Sequence, residues 1–134
     1  MPTAVLDASA LIALLRDENG ADVVRSILED EHTSSVAHVF NLCEVYKDFL
    51  AAAGDAAATK AIQDLLDLEI EPREDMDEAF WKDLARWKKV LGAPWGDTFL
   101  LAIARRVDGE IVTAGHKDFD PIARAKVCRV RFIR

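Results

Sequence analysis

Apolar residues follow two patterns along the chain, short runs and spacings of three to four residues. The run Thr3–Leu6 is apolar and ends at Asp7, which predicts a buried strand. Leu84, Trp87 and Leu91 recur at the spacing of one helix face, which predicts an amphipathic helix around them. The chain therefore contains both strand and helix patterns, and their order decides the fold class.

Helices and strands are predicted to alternate along most of the chain. Pro72 is expected to stop the third strand, and a Pro94-Trp95-Gly96 turn is expected to precede a helix opened by Asp97. Helices are predicted over residues 9–15, 21–29, 37–53, 56–66, 76–91 and 98–106, and strands over residues 3–6, 33–36, 68–71, 110–113 and 128–133.

Strands separated by helices favour a parallel sheet that is covered by helices on both faces. We therefore expect an α/β fold, a three-layer α/β/α sandwich with a twisted, mainly parallel sheet of four to five strands. The length of 134 residues corresponds to one domain, so residues 1–134 are expected to form a single unit.

The composition is typical of a soluble globular protein, with 51% hydrophobic and 31% charged residues. Cys43 and Cys128 lie in apolar stretches, which predicts reduced core cysteines in a cytosolic protein. The amino terminus has no basic region followed by an apolar segment, and no apolar run reaches the roughly 20 residues of a membrane span. We therefore expect a cytoplasmic location and no membrane partner.

The net charge of −7 is unevenly distributed along the chain. Residues 115–134 carry six basic and two acidic side chains, a net charge of +4, so residues 1–114 carry −11. An acidic protein does not wrap nucleic acid through a broad basic surface. The basic segment fits either binding of a phosphate backbone or an acidic partner, or arginines that protect a solvent-exposed edge strand.

Four acidic residues occupy positions where a parallel sheet presents its ligands. Asp7 follows the first strand, and Asp118 comes five residues after Thr113, which ends a later strand. Asp97 is placed at the start of a helix, and Glu44 lies within an otherwise apolar stretch, where a lone buried carboxylate would be costly. Taken singly, each has a structural explanation as a helix cap, a turn residue or a side chain that reaches solvent.

Acids that converge on one crevice repel one another unless cations neutralise them. Hard cations with oxygen ligands, Mg²⁺ or Mn²⁺, fit such a set, whereas His32, His38 and His116 lack the spacing of zinc ligands. Dehalogenase-type phosphatases need a second acid two residues after the first, where this chain has Ser9. Receiver domains need paired acids and a later lysine, of which only Asp7 is offered. A non-catalytic acidic binding module remains an alternative.

Four segments of the chain resemble the motifs of PIN-domain nucleases, in the family's order. They are V-L-D-A-S-A-L-I-A-L-L, N-L-C-E-V, W-G-D-T-F-L-L-A-I-A and I-V-T-A-G-H-K-D-F. The resemblance covers essentially the whole chain and is strongest to the bacterial and archaeal toxins called VapC. It implies a PIN-like fold, metal-dependent cleavage of RNA, a homodimer and inhibition by a cognate antitoxin protein.

The resemblance also implies roles for individual residues. Asp7, Glu44 and Asp97 match the family's acidic positions, and four residues would support them: Ser9, Asn41, Thr98 and Thr113. Gly115 departs from the pattern, because the family often has Asp or Asn there. We therefore expect Asp118 to be the fourth acid, with Asp120 as the alternative that would instead cap a short helix before Pro121.

These observations together predict an Mg²⁺-dependent endoribonuclease, with Mn²⁺ as a possible substitute, acting as the toxin of a toxin–antitoxin pair. Asp7 and Asp97 are expected to bind the principal ion, and Glu44 and Asp118 to complete the metal site and the catalytic group. A PIN nuclease with a housekeeping role is the alternative within the same chemistry.

Overall fold

A computed structural model describes all residues from 1 to 134 as seven helices and one five-stranded sheet. The strands are β1 (Thr3–Leu6), β2 (Ser34–His38), β3 (Glu71–Arg73), β4 (Glu110–Thr113) and β5 (Arg129–Phe132). The helices are α1 (Ala8–Leu15), α2 (Ala21–Glu29), α3 (Val39–Ala53), α4 (Asp55–Asp67), α5 (Glu78–Leu91), α6 (Trp95–Val107) and α7 (His116–Arg124).

The sheet has the strand order β3-β2-β1-β4-β5, and every neighbouring pair is parallel. The chain first builds outward from β1 to β3 and then crosses to the other side of β1 to add β4 and β5. The order therefore reverses between β1 and β4. In open parallel sheets, the crevice at the carboxyl ends of two such strands is the usual ligand site.

Successive side chains along the strands pack alternately into two separate hydrophobic cores. In β1, Ala4 and Leu6 belong to the core that also contains Leu11 of α1 and Val45 of α3. Val5 points the other way, into a core built with residues of α5, α6 and α7. Helices α1 to α4 thus cover one face and α5 to α7 the other, which confirms the three-layer α/β/α sandwich. No helix is both long and apolar enough to cross a bilayer.

The third strand and the sixth helix differ from the sequence prediction. Residues 68–70 form the turn after α4, and β3 comprises Glu71–Arg73, with Pro72 inside it. Proline is tolerated there because β3 lies at the edge of the sheet, where one side of the strand needs no backbone donor. Helix α6 begins at Trp95 after Pro94, so Asp97 lies in its first turn and does not open it.

Two further predictions are corrected. Both cysteines are free, but Cys43 is exposed and Cys128 only half-buried, because on α3 the positions on either side of Cys43 do not share its face. Helix α7 begins at His116 and runs through Pro121, so Asp120 lies inside this helix and does not cap it.

Candidate active site

The switch point between β1 and β4 brings together residues from distant parts of the sequence. Asp7 directly follows β1, and Thr113 is the last residue of β4. Glu44 on α3, Asp97 on α6 and Asp118 on α7 lie around the same crevice: the charge of Asp7 acts on both Glu44 and Asp97, and Asp118 is hydrogen-bonded to Asp97.

The carboxylate of Asp7 is held in one orientation by two hydroxyl groups. Its Oδ2 accepts hydrogen bonds from Ser9 Oγ at 2.9 Å and from Thr113 Oγ1 at 2.6 Å. Ser9 Oγ in turn accepts from the Ala114 N–H at 3.0 Å, and Thr113 Oγ1 accepts from the Gly115 N–H at 2.9 Å. Since each hydroxyl already accepts from a backbone amide, its own proton is directed at Asp7.

Burial dominates the electrostatics of Asp7. The residue occupies the position before α1, yet its side chain makes no capping hydrogen bond to the helix. Only 6% of Asp7 is exposed, and burial raises the pKa of its carboxyl group against the smaller lowering effect of the bonds from Thr113 and Ser9. A buried acid in such an environment is costly unless a cation compensates it.

Asn41 and Gly96 position the second acid, Glu44. The fully buried Asn41 donates from Nδ2 to Glu44 Oε1 at 3.1 Å and to the Gly96 carbonyl at 3.0 Å, which ties α3 to α6. A Cβ atom on Gly96 would overlap the Glu44 carboxylate. Burial is the main reason that the pKa of Glu44 is raised, and the charge of Asp7 adds to it.

Asp97 is strongly perturbed by its surroundings. Burial, the hydrogen bond with Asp118 and the charges of Asp7 and Glu44 together raise the pKa of Asp97 to about 8. Two carboxyl groups can share a hydrogen bond only when one of them carries a proton. The proton on Asp97 therefore does what a bound cation would do, because it removes one negative charge from the crevice.

The residues in this crevice fit a hard divalent cation. All four acids supply carboxylate oxygens, the ligands that Mg²⁺ and Mn²⁺ prefer. As the side chains stand, no three Asp, Glu, His or Cys side chains are arranged around a common point as a ready-made ligand shell.

Thr98 and Asp120, which the sequence singles out, and Arg131 of the basic segment make their contacts outside the group of four acids. Thr98 is buried, and its hydroxyl donates to the Pro94 carbonyl at 3.0 Å, so it stabilises the start of α6. Asp120 pairs with His116 at 3.0 Å, which leaves Asp118 as the acid beside Asp97. Arg131 binds Glu110 at 2.8 Å on the edge strand β5, in agreement with the edge-protecting interpretation of the basic segment.

Sequence reasoning missed the part played by Gly96. The sequence predicts that Gly96 belongs to a turn, whereas in the structure it lies inside α6 and leaves room for Glu44. A glycine is unfavourable within a helix, and one placed next to an acidic motif is a usable signal that another chain segment approaches closely.

An all-parallel sheet with acids gathered at its switch point defines a class of α/β proteins that bind ligands at the carboxyl edge. Within that class, the family model for the PIN domain matches residues 4–125. The chain belongs to the PIN-domain family, a family of nucleases. No curated protein matches the chain.

Solved structures share this fold at low sequence identity. VapBC2 of Rickettsia felis, bound to a DNA fragment from its promoter, has a TM-score of 0.75 at 11% identity, covering 97% of this chain and 98% of the other. A toxin–antitoxin complex from Klebsiella pneumoniae has a TM-score of 0.73 at 17% identity, covering 98% of each chain.

A third similar structure is that of a toxin whose target is named. VapC20 of Mycobacterium tuberculosis, a sarcin–ricin-loop-cleaving toxin, has a TM-score of 0.67 at 14% identity, covering 88% of this chain and 94% of the other. At these identities the likeness concerns the fold, which is that of VapC toxins.

Proposed function

We propose that this PIN-domain protein is a metal-dependent endoribonuclease that acts as the toxin of a toxin–antitoxin pair. The observation that carries the proposal is the crevice of four carboxylates with no basic partner, in which the pKa of Asp97 rises to about 8. The charge of a cap or surface acid would be stabilised by the N-terminus of a helix, by a neighbouring cationic group or by hydration. An arrangement of acids that repel one another is typical of sites that bind metal ions.

Asp7 and Asp97 would hold the principal Mg²⁺, or Mn²⁺, and Glu44 and Asp118 would complete the site. When bound, the ion supplies a water of lowered pKa and offsets the charge that develops on the phosphate. Ser9 and Thr113 keep Asp7 in the orientation that the site requires, since both hydroxyls donate to its Oδ2. Asn41 does the same for Glu44 by donating to Oε1.

RNA as the substrate and an antitoxin as the partner are supported by the proteins that share the fold. The structure from Klebsiella pneumoniae is a toxin–antitoxin complex, that from Rickettsia felis is a VapBC structure, and the toxin from Mycobacterium tuberculosis cleaves the sarcin–ricin loop. Cations in the crevice would also let a protein of net charge −7 accept a phosphodiester. We also propose that the protein forms a homodimer.

The decisive experiment combines metal binding and cleavage in one pair of variants. Mg²⁺ or Mn²⁺ should raise the melting temperature of the wild type, and Asp7→Asn should abolish this rise and lower RNA cleavage by more than ~100-fold, beyond the loss expected for an outer-shell partner. Asp75→Asn, which removes an acid outside the crevice, should keep both the metal response and the cleavage. Equal metal binding by the wild type and Asp7→Asn in calorimetric titration would refute the site.

Expression in a bacterial host tests the toxin assignment separately. Growth should stop when the wild type is induced and continue when Asp7→Asn is induced. Cleavage in vitro without any effect on growth would instead indicate a PIN nuclease with a housekeeping role.

A further inference from the structure

Asn41 contains a buried oxygen atom that accepts no hydrogen bond. The residue is the third of α3 and is fully buried, and no donor of the chain reaches its Oδ1. Only one other buried side-chain oxygen or nitrogen has no hydrogen bond, Asp48 Oδ2, and it lies 2.8 Å from the guanidinium of Arg16, which compensates its charge. Asn41 Oδ1 is thus the one buried side-chain acceptor with neither a hydrogen bond nor an ion pair.

The other end of the amide fixes the orientation of Asn41. Its Nδ2 donates to Glu44 Oε1 at 3.1 Å and to the Gly96 carbonyl at 3.0 Å. A carboxylate and a carbonyl only accept hydrogen bonds, so turning the amide over would place its oxygen against two other oxygens. The oxygen of the amide is therefore the atom that lacks a partner.

A buried acceptor without a donor calls for an explanation in physical terms. Buried polar groups in proteins are almost always hydrogen-bonded, and the exceptions indicate a water molecule or an ion that completes the group. The two bonds from Nδ2 account for the nitrogen of Asn41, because they tie α3 to α6 and hold Glu44. They leave the oxygen without a role in the fold.

The place of Asn41 indicates which donor completes its oxygen. The amide contacts Glu44, one of the four acids of the crevice, and the carbonyl of Gly96, which precedes Asp97 in α6. Mg²⁺ keeps several of its waters when carboxylates bind it, and the charge of the ion makes these waters strong hydrogen-bond donors. Because Oδ1 has almost no contact with solvent, a water that donates to it lies on the protein side of the ion and not on the side open to a substrate.

We propose that Asn41 Oδ1 accepts a hydrogen bond from a water molecule of the cation's hydration shell, on the buried side of the crevice. This inference rests on the proposed function and adds a contact between the chain and the ion that does not pass through a carboxylate. Asn41 is then a positioning residue with two separate tasks, since Nδ2 holds Glu44 and Oδ1 holds the water. Loss of Oδ1 should weaken metal binding even where Glu44 has lost its charge.

The first experiment observes Asn41 directly by NMR. Protein labelled with ¹³C and ¹⁵N in asparagine alone gives two side-chain carbonyl signals, because the only other asparagine is the exposed Asn19. Mg²⁺ should move the ¹³Cγ signal of Asn41 to higher chemical shift, as a new hydrogen bond does at a carbonyl, with the midpoint of calorimetric binding. If Asn41 touched only Glu44, a weaker bond from Nδ2 would move the signal the other way. The Asn19 signal should stay in place, as should both signals in Asp7→Asn.

The second experiment asks whether Asn41 acts on the ion without the charge of Glu44. Glu44→Gln removes that charge but keeps an oxygen that can accept from Nδ2. Asn41→Ser should weaken Mg²⁺ or Mn²⁺ binding about 10- to 100-fold in the wild type, as for outer-shell partners, and still several-fold in the Glu44→Gln background. Asn19→Ser should bind metal as the wild type does. Equal metal affinity of Glu44→Gln and the double variant would show that Asn41 acts through Glu44 alone, and would overturn the inference.

The two proposals fail in different ways. A wild type that binds Mg²⁺ without moving the Asn41 carbonyl signal to higher shift would contradict only the hydrogen bond to the water. A wild type in which Mg²⁺ moves this signal but RNA is not cleaved would contradict the proposed function and leave the role of Asn41 intact. A wild type that binds no divalent cation would contradict both. The carbonyl signal is measured on the unaltered chain, so it decides the question even if a variant fails to fold or to bind metal.

Discussion

The protein has two groups of carboxylates that differ in how their charge is compensated. In the first, Arg73 binds Asp75 through two nitrogens at 2.8 and 2.9 Å, and Arg106 bridges Asp75 at 3.0 Å and Asp77 at 2.8 Å. The hydrogen bond from Arg73 is the main reason that the pKa of Asp75 falls to about 2. This group is complete without any ligand, and it fastens the segment before α5 to α6.

The second group contains the four acids of the crevice, and no arginine or lysine binds any of them. Its supporting residues, Ser9, Thr113 and Asn41, are neutral donors that fix orientation and leave the charge uncompensated. Burial, the hydrogen bond with Asp118 and the neighbouring negative charges raise the pKa of Asp97 to about 8, whereas the arginines lower that of Asp75 to about 2. Two aspartates of one molecule thus differ by about six pKa units because of their burial and their partners.

The comparison shows which acids are structural and which are available for chemistry. An arginine-paired carboxylate stabilises the fold and cannot easily bind a metal ion, because its oxygens are already used. A carboxylate held by neutral donors keeps its charge available for an incoming cation, at a cost to stability.

Asp118 and Asp120 allow the comparison to be made within one helix. Asp118→Asn should lower metal affinity or single-turnover cleavage about 10- to 100-fold, since it removes the acid that contacts Asp97. Asp120→Asn should have little effect, because Asp120 is already paired with His116. Single-turnover rates measured against Mg²⁺ concentration separate the two effects. A larger loss for Asp120→Asn would show that the loop after β4 is assigned incorrectly.

Gly96→Ala tests whether the geometry of the unpaired group matters as well as its charge. The new methyl group would displace the Glu44 carboxylate, so we expect cleavage to fall about tenfold, near the lower end for outer-shell changes. The fold should persist, because a flexible side-chain end yields and alanine favours helices over glycine. Gly92→Ala is not a suitable control, since Gly92 has a positive φ. Arg86→Ala, which places an alanine at an exposed position of α5, is the matched helix change. Unchanged cleavage by Gly96→Ala would mean that Glu44 is free to move without loss.

Much of the fold could be predicted because its pattern is local. The bounds of β1, α2 and β4 agree with the sequence prediction, since each combines a clear apolar pattern with polar residues at its ends. β3 could not be placed, because the alternation in residues 68–71 and the rule that proline ends a strand both ignore its edge position. Whether a strand lies at an edge is a property of the whole sheet.

The location of the candidate site was predictable, and its contacts were not. A parallel sheet directs the residues after β1 and β4 to one edge, so Asp7 and Thr113 were expected to lie there. The contact of Glu44 with Gly96 depends on how closely α3 packs against α6. That distance is set by side chains far apart in the sequence, which a single sequence does not reveal.

The smallest effect we predict is a difference in how stability depends on pH in metal-free protein. Because the pKa of Asp97 is higher in the folded than in the unfolded state, the folded state binds more protons between about pH 4 and pH 8. Stability should therefore decline as pH rises through this window. Asp97→Asn should reduce the decline, so its melting temperature should exceed that of the wild type by several °C near pH 8 and by less near pH 5.

Asp75→Asn should show the opposite dependence in the same measurement. The folded pKa of Asp75 is about 2, below its usual 3.8, so its stabilisation is fully present above pH 4 and is lost as pH falls toward 2. We expect the substitution to lower the free energy of unfolding by about 1 to 2 kcal/mol at pH 7, allowing for screening by solvent, and by less in acid. Thermal melts in chelator across this pH range would reveal both trends. Parallel curves for Asp97→Asn and the wild type would mean that the crevice acids are neutralised by something other than a proton or a metal ion.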